Sequence, residues 1–289
     1  MANRRPERNL RVAALPLDVV GGAAEQNVDA VREALERCVE RGVDLLVLPE
    51  LWPTSFPPSR AEGAALDAVL AEDAGAWRAV ETLVRESGVW VVGTGLDRDP
   101  NGGDAAPARP VNRARLLAPD GTRAVYDKAH LFTPTAEHLA FCQGGERPSV
   151  VAGPAAHDGS PSALAMAVCY DLRFGAPLQQ LPAAGVEVLV VPAQWPASRA
   201  SHWRALVLGR AVELQCFVVG CNRSGVESVG RRGLALEFPG NALIASPDGE
   251  VLAEGDGSGA LIVADLDLER VGRLRRDVPV GRDARCDLR

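Results

Sequence analysis

EQNVDAVREALERCVERGVDLLVLPE, residues 25–50, is the stretch that decides the architecture. Val28, Val31, Ala34, Leu35 and Val39 recur at the spacing of one helical face, and Gly42 closes the run. The pattern then changes. VDLLVLPE has no in-out alternation, which is how a strand covered on both faces reads, and it ends in Pro49-Glu50. NLRVAALPLD, residues 9–18, is a strand on the other side of the helix. Together they make a β-α-β unit with a buried strand.

The same alternation continues outward. A second helix is expected from about Arg60 to Glu86, and GVWVVGTGL is the next strand. Residues 98–110 form a loop rich in Gly, Pro and Asp. VNRARLLAPDGTRAVYDK is a hairpin around a Pro-Asp-Gly turn, and GNALIASPDGEVLAEG is a second one. A strand over 163–168 leads to Cys169, a helix is expected over 175–184, and VEVLVVPAQW is another apolar strand. ASHWRALVLGRAVELQ is helical, CFVVGCN and GALIVADLD are strands, and LERVGRLRR is a short helix. Buried strands, interleaved helices and hairpins define a layered α/β sandwich with mixed sheets. No repeat or linker divides the chain, so a single domain over 1–289 is expected, with a core at about 10–270 and a C-terminal extension at 271–289.

The totals narrow the function. The chain has 289 residues, 47% of them hydrophobic but only 4% aromatic, so the core is built mainly from Val, Leu and Ala. A formal net charge of −7 and the absence of a basic patch argue against nucleic acid and anionic membranes as partners. Arg4-Arg5 could open an export signal, but Glu7, Arg8, Arg11 and Asp18 interrupt the segment after it, and no run reaches the length of a membrane span. A cytoplasmic protein is expected. There are six cysteines and no CxxC pair, so neither disulfides nor a structural zinc site is expected. Of the 31 Lys and Arg residues, one is a lysine, Lys128. An arginine bias does not explain that exception, and a compact ammonium in a tight place is not interchangeable with a guanidinium fork.

Three strands end in residues able to do chemistry: LLVLPE at Glu50, ALAMAVC at Cys169 and VEVLVVPAQW at Trp195. Ligands in α/β proteins gather at such carboxyl ends. Each alone has a plain alternative: an inert core thiol, a solvated loop acid, a packed indole. Together with Lys128 they form a complete set for acyl transfer. A thiol nucleophile needs a base, which a desolvated carboxylate can supply. The tetrahedral oxyanion needs positive charge or N–H donors, which Lys128 and the backbone N–H of Tyr170 could provide. A P-loop, a dinucleotide fingerprint, a GxSxG elbow and an HExxH zinc motif are all missing. His130 and His202 have structural roles as their simplest reading.

LPELW around Glu50, YDKAHLF around Lys128 and CYDLRF around Cys169 resemble the three signature segments of the nitrilase superfamily of carbon–nitrogen hydrolases. The resemblance extends from about residue 10 to about 284. TPTAEHLAFCQG resembles the segment with the family's second glutamate, which points to Glu137. PAQWPASRASHWRALVLGRAVELQCFVVGCNRSG resembles the omega-amidase-like branch, and FPGNALIASPDGEVL a late family segment. The resemblance implies an α-β-β-α sandwich that dimerises. It also implies Glu50 as base and acid, Lys128 as the oxyanion-stabilising cation, Cys169 as nucleophile and Glu137 as a positioning group. No metal or cofactor is implied. Two departures are visible. VELQ at 212–215 replaces a Glu-Asn-Gln run, and RFGAPL at 173–178 replaces Arg-Phe-Pro-Glu-Leu. Neither touches the reactive groups.

The expected activity is hydrolysis of a small carboxylate-bearing amide, of the 2-oxo acid amide type, to an acid and ammonia. Arg173 is a candidate for the substrate carboxylate, with an ion pair to Asp171 or Glu187 as its alternative. Phe56 and Trp195 are candidate pocket walls. A nitrilase, carbamoylase or deaminated-glutathione amidase would use the same residues. A lysine Schiff-base enzyme and a non-catalytic binding protein are the alternatives from other classes.

Overall fold

The computed structural model describes residues 8–57, 62–99, 109–229 and 234–284. Arg4-Arg5, most of the 98–110 loop, Cys286 and the end of the C-terminal extension lie outside the described residues.

Two six-stranded mixed sheets face each other. The first contains β1 (Asn9–Ala14), β2 (Leu45–Val47), β3 (Trp90–Arg98), β4 (Pro110–Ala118), β5 (Gly121–Asp127) and β14 (Ile262–Asp267), in the order β14-β1-β2-β3-β4-β5. The second contains β6 (Val150–Ala155), β7 (Pro161–Met166), β8 (Val188–Ala193), β9 (Phe217–Asn222), β12 (Leu243–Ala245) and β13 (Val251–Glu254), in the order β13-β12-β9-β8-β7-β6. Each sheet has a parallel triplet at its centre, β1-β2-β3 in one and β7-β8-β9 in the other, with antiparallel strands on both sides. β10 (Ser224–Val229) and β11 (Leu234–Pro239) form a separate antiparallel ribbon.

One core cluster fills the space between the sheets, joining Leu10, Val12 and Val47 to Leu164, Val188 and Val190. α1 (Ala24–Glu40) and α2 (Ala64–Ser87) cover the outer face of the first sheet, where Val31, Leu35, Trp77 and Val80 meet Ala13, Leu46 and Val91. α4 (Ala200–Leu214) lies on the second sheet. Gly220 of β9 makes that approach possible, since a Cβ there would come within 2.7 Å of the Trp203 ring. The layers are therefore α-β-β-α, as expected. The remaining helices are short: α3 (Glu137–Ala140), α5 (Glu269–Asp277) and α6 (Val280–Asp283). Among the described residues no helix is long and apolar enough to cross a membrane.

α1 ends as its sequence predicts. Gly42 takes φ +62°, its N–H reaches Val39 O at 3.1 Å, and the Val43 N–H reaches Cys38 O at 2.9 Å. That double bond satisfies two carbonyls the helix end would leave open. The buried stripe, however, continues through Cys38, and Val39 is 52% exposed. Both positions suit the spacing from Leu35, and the sheet lies under Cys38.

Residues 175–184 are not the helix expected from their pattern. They are a succession of turns, such as Gln179 N–H to Gly175 O at 3.1 Å and Leu181 N–H to Leu178 O at 3.0 Å. Pro177 and Pro182 have no N–H to continue a helical ladder, and each ring crowds the preceding turn. Leu178 and Leu181 are still buried, which accounts for the helical look of the pattern. The strand before Cys169 also has a partner the sequence did not reveal: β6 holds Gly153-Pro154 at a register shift on the sheet edge, where proline is tolerated.

Candidate active site

The parallel triplets bring their carboxyl ends to one place. Glu50 follows β2, Lys128 directly follows β5, Cys169 opens a 3-10 turn (Cys169–Arg173) after β7, and Gln194-Trp195 follow β8. Glu50, Lys128 and Glu137 are almost fully buried, and Cys169 is 6% exposed. The Lys128 ammonium donates to Glu50 Oε1 at 2.7 Å and to Glu137 Oε2 at 2.8 Å. Glu137 is presented by α3, and its Oε2 also accepts the Phe132 N–H at 2.9 Å.

Glu50 is held from every side. Its Oε1 accepts Asn112 Nδ2 at 2.8 Å, its Oε2 accepts the Gln194 N–H at 3.0 Å, and its carbonyl accepts Gln194 Nε2 at 2.7 Å. Behind Gln194 lies a wholly buried guanidinium. Arg223 donates to Gln194 Oε1 at 3.1 Å, pairs with Glu227 and sits 4.6 Å from the Phe238 ring centroid. Sequence reasoning missed Asn112, Gln194 and Arg223. A signal existed for Asn112, which alternates with Arg113 and Arg115 and so shares the face of Ala114 and Leu116.

Cys169 has φ +46°, a left-handed conformation that a residue with a Cβ adopts only where its surroundings impose it. Asp171 imposes it. Its Oδ2 accepts the Val168 N–H at 3.0 Å and the Tyr126 hydroxyl at 2.9 Å. Its Oδ1 takes the His130 N–H at 2.9 Å and lies 2.7 Å from His130 Nδ1. The His130 ring stacks on Phe174 at 3.8 Å, so this histidine braces the turn.

The charges explain the protonation states. Burial alone would lower the pKa of Lys128, but the carboxylates of Glu137 and Glu50 outweigh it and keep the ammonium well above its ordinary value. Burial raises Glu137; Lys128 opposes that rise and Glu50 adds to it. Burial and then Glu50 push the Cys169 thiol well above its ordinary value, against the pull of Lys128. Two carboxylates and one ammonium already surround the sulfur, so a thiolate would add a second uncompensated negative charge. The surroundings of Cys169 thus favour the thiol over the thiolate.

A cleft of about 430 Å³, open mouth included, lies over the cluster. Cys169 and Glu137 reach its wall, with Phe56, Tyr170, Arg173 and Trp195 around them. Arg173 makes no ion pair with Asp171 or Glu187. Asp171 is taken by the cysteine turn, and Glu187 pairs with Arg8 at 2.6 Å. The Arg173 guanidinium lies 4.9 Å from the Trp195 ring centroid, with its Nη2 3.1 Å from His202 Nδ1. Among the described residues, no group of three or more His, Cys, Asp or Glu side chains is arranged to hold a metal ion.

A mixed-sheet sandwich with a buried carboxylate–ammonium–thiol group at its strand ends defines a class of hydrolase, and the comparisons agree. The chain belongs to the carbon–nitrogen hydrolase family, matched over residues 11–276, and so is a hydrolase of carbon–nitrogen bonds. It is 32% identical over 282 residues to the 2-oxoglutaramate amidase of Bacillus subtilis (strain 168), covering 96% of this chain and 98% of that one. It is equally similar, 32% over 275 residues, to omega-amidase YafV of Yersinia enterocolitica, covering 95% and 96%. Among solved structures, a carbon–nitrogen hydrolase from Helicobacter pylori G27 shares the fold, with a TM-score of 0.84 over 97% of both chains at 20% identity.

Proposed function

We propose that this chain is a cysteine-dependent amidase acting on a small ω-amide that bears a carboxylate, such as a 2-oxo acid amide. The observation that carries the reading is the Lys128 ammonium held between Glu50 and Glu137 beside a buried thiol under a cleft. Because the thiol rests protonated, its activation is coupled to attack. Glu50 takes the Sγ proton as sulfur bonds to the amide carbon. The oxyanion is met by Lys128 and the Tyr170 N–H, which lies in the first turn after Cys169, where amides have no intrahelical acceptor. Glu50 then gives the proton to the leaving nitrogen, the C–N bond breaks and ammonia departs. Water attacks the thioester and Glu50 takes its proton; the C–S bond then breaks, Glu50 returns the proton to sulfur, and the acid leaves with the thiol restored. Glu137 fixes Lys128 throughout.

Arg173 supports the carboxylate on the substrate, since its guanidinium faces the cleft with no carboxylate partner among the described residues. Phe56 and Trp195 supply apolar walls for the short chain between the two ends. The test is ammonia release across a panel of acid amides, neutral amides, carbamoyl compounds and nitriles, with mass spectrometry for an acyl adduct. Preferential turnover of acid amides and an adduct on Cys169 are expected. Equal kcat/KM for acid and neutral amides would rule out the substrate class, and an adduct on Lys128 would rule out the nucleophile.

A further inference from the structure

The cleft has a second unneutralised guanidinium, on a residue the sequence did not single out. Arg199 ends a short 3-10 turn (Ala197–Arg199) just before α4 and lines the same cleft as Arg173. It lies 5.5 Å from the Phe132 ring centroid and, like Arg173, has no ion pair among the described residues. The chain has 38 acidic residues, yet among the described residues the cleft wall contains just one of them, Glu137, whose Oε2 is occupied by Lys128 and the Phe132 N–H.

Both guanidiniums are held over aromatic faces, which favours a cation and limits its freedom. Trp195 connects them: Arg173 lies over its ring, and its Nε1–H donates to the Arg199 carbonyl at 2.9 Å. Phe132, beneath Arg199, meets the Tyr170 ring edge-on at 5.0 Å, so this arm is packed against the residue that follows Cys169. Neither guanidinium is neutralised by a carboxylate among the described residues, so both can meet an anion that enters the cleft. We infer that Arg199 and Arg173 form a two-armed clamp for the substrate carboxylate, and that Arg199 is a specificity residue in its own right. This rests on the amidase reading for the position of the amide end, but not for the binding of the carboxylate end.

The test uses the Cys169→Ala chain, so that binding is read without turnover. Calorimetry with succinamate and with butanamide compares one carbon chain with and without the carboxylate. Adding Arg199→Ala should weaken succinamate relative to butanamide about ten- to hundredfold, the range of a charge-assisted hydrogen bond. Arg199→Lys should recover part of that preference, because it restores the charge but not the fork. The losses from Arg199→Ala and Arg173→Ala should not add, since both arms hold one group. If Arg199→Ala weakens both ligands by the same factor, the residue merely supports the aromatic wall and the clamp is wrong. An unchanged preference for succinamate overturns it as well. If the alanine variant does not melt cooperatively, Arg199→Gln is read in its place. Should the native chain release no ammonia from any amide, the amidase reading fails while the succinamate preference still decides the clamp.

Discussion

At the scale of single residues, Lys128 has the least room for change. It is buried with two carboxylate contacts below 3 Å, and a guanidinium could not keep both without displacing Glu50 or Glu137. Lys128→Arg should therefore lower kcat by about 10²–10³, the usual loss of one oxyanion donor; near-native kcat would remove its role. Cys169→Ala should abolish turnover while leaving the melting temperature close to native, because in the proposed mechanism the residue acts by forming a bond. The raised pKa of the thiol leads to a spectroscopic prediction. The native-minus-Cys169→Ala difference spectrum should show no thiolate band near 240 nm at pH 7–9, and a band at neutral pH would mean a preformed nucleophile. The sequence singled out Glu50, Lys128, Glu137 and Cys169 because their groups are reactive and, for Lys128, rare. Asn112, Gln194, Arg199 and Arg223 escaped notice because amides and guanidiniums are common and their task here is set by folding, which no spacing records.

At the scale of elements, the bond between α2 and β3 is sensitive to pH. Asp73 on α2 accepts the Leu96 N–H at 2.9 Å and the Thr54 hydroxyl at 3.3 Å, both on Oδ2, and burial raises its pKa from 3.8 to about 7. The folded chain holds a proton that the unfolded chain has lost between those values. This contribution to stability is thus complete below about pH 4 and disappears as pH rises through 7. At 1.36 kcal/mol per unit the full effect is on the order of 4 kcal/mol. Asp73→Asn cannot titrate, so thermal melts from pH 5 to 8 should show the variant gaining on the native chain up to about pH 7 and levelling off above it. A constant offset would mean that Asp73 is ionised throughout. The elements most legible in the sequence were α1 and the two Pro-Asp-Gly hairpins, where periodicity or turn chemistry acts locally. The 175–184 turns, β6 and the β10-β11 ribbon were not, since buried leucines imitate a helix and short edge or ribbon strands take their form from partners distant in sequence.

At the scale of the whole molecule, the C-terminal segment offers an apolar surface. Val278 and Val280 are 51% and 49% exposed, and Gln215 Nε2 ties Val278 O to the end of α4, near the exposed Val212. A homodimer using this region is expected, and light scattering at micromolar concentration should find it. Val278→Asp with Val280→Asp should shift it towards monomer, and a native monomer would refute it. The pairing of β1 with β14, Asn9 opposite Asp267, has a further consequence for synthesis. On the ribosome, every strand of the second sheet is made before residue 262, whereas the first sheet waits for the last strand of all. Five strands of the first sheet are made by residue 127, yet neither sheet has all its strands until after residue 250, so the two facing halves are both completed near the end of translation. Since Glu50 and Lys128 follow strands of one sheet and Cys169 a strand of the other, and both sheets close late, enzymatic competence should arise as a single late event in the life of each polypeptide.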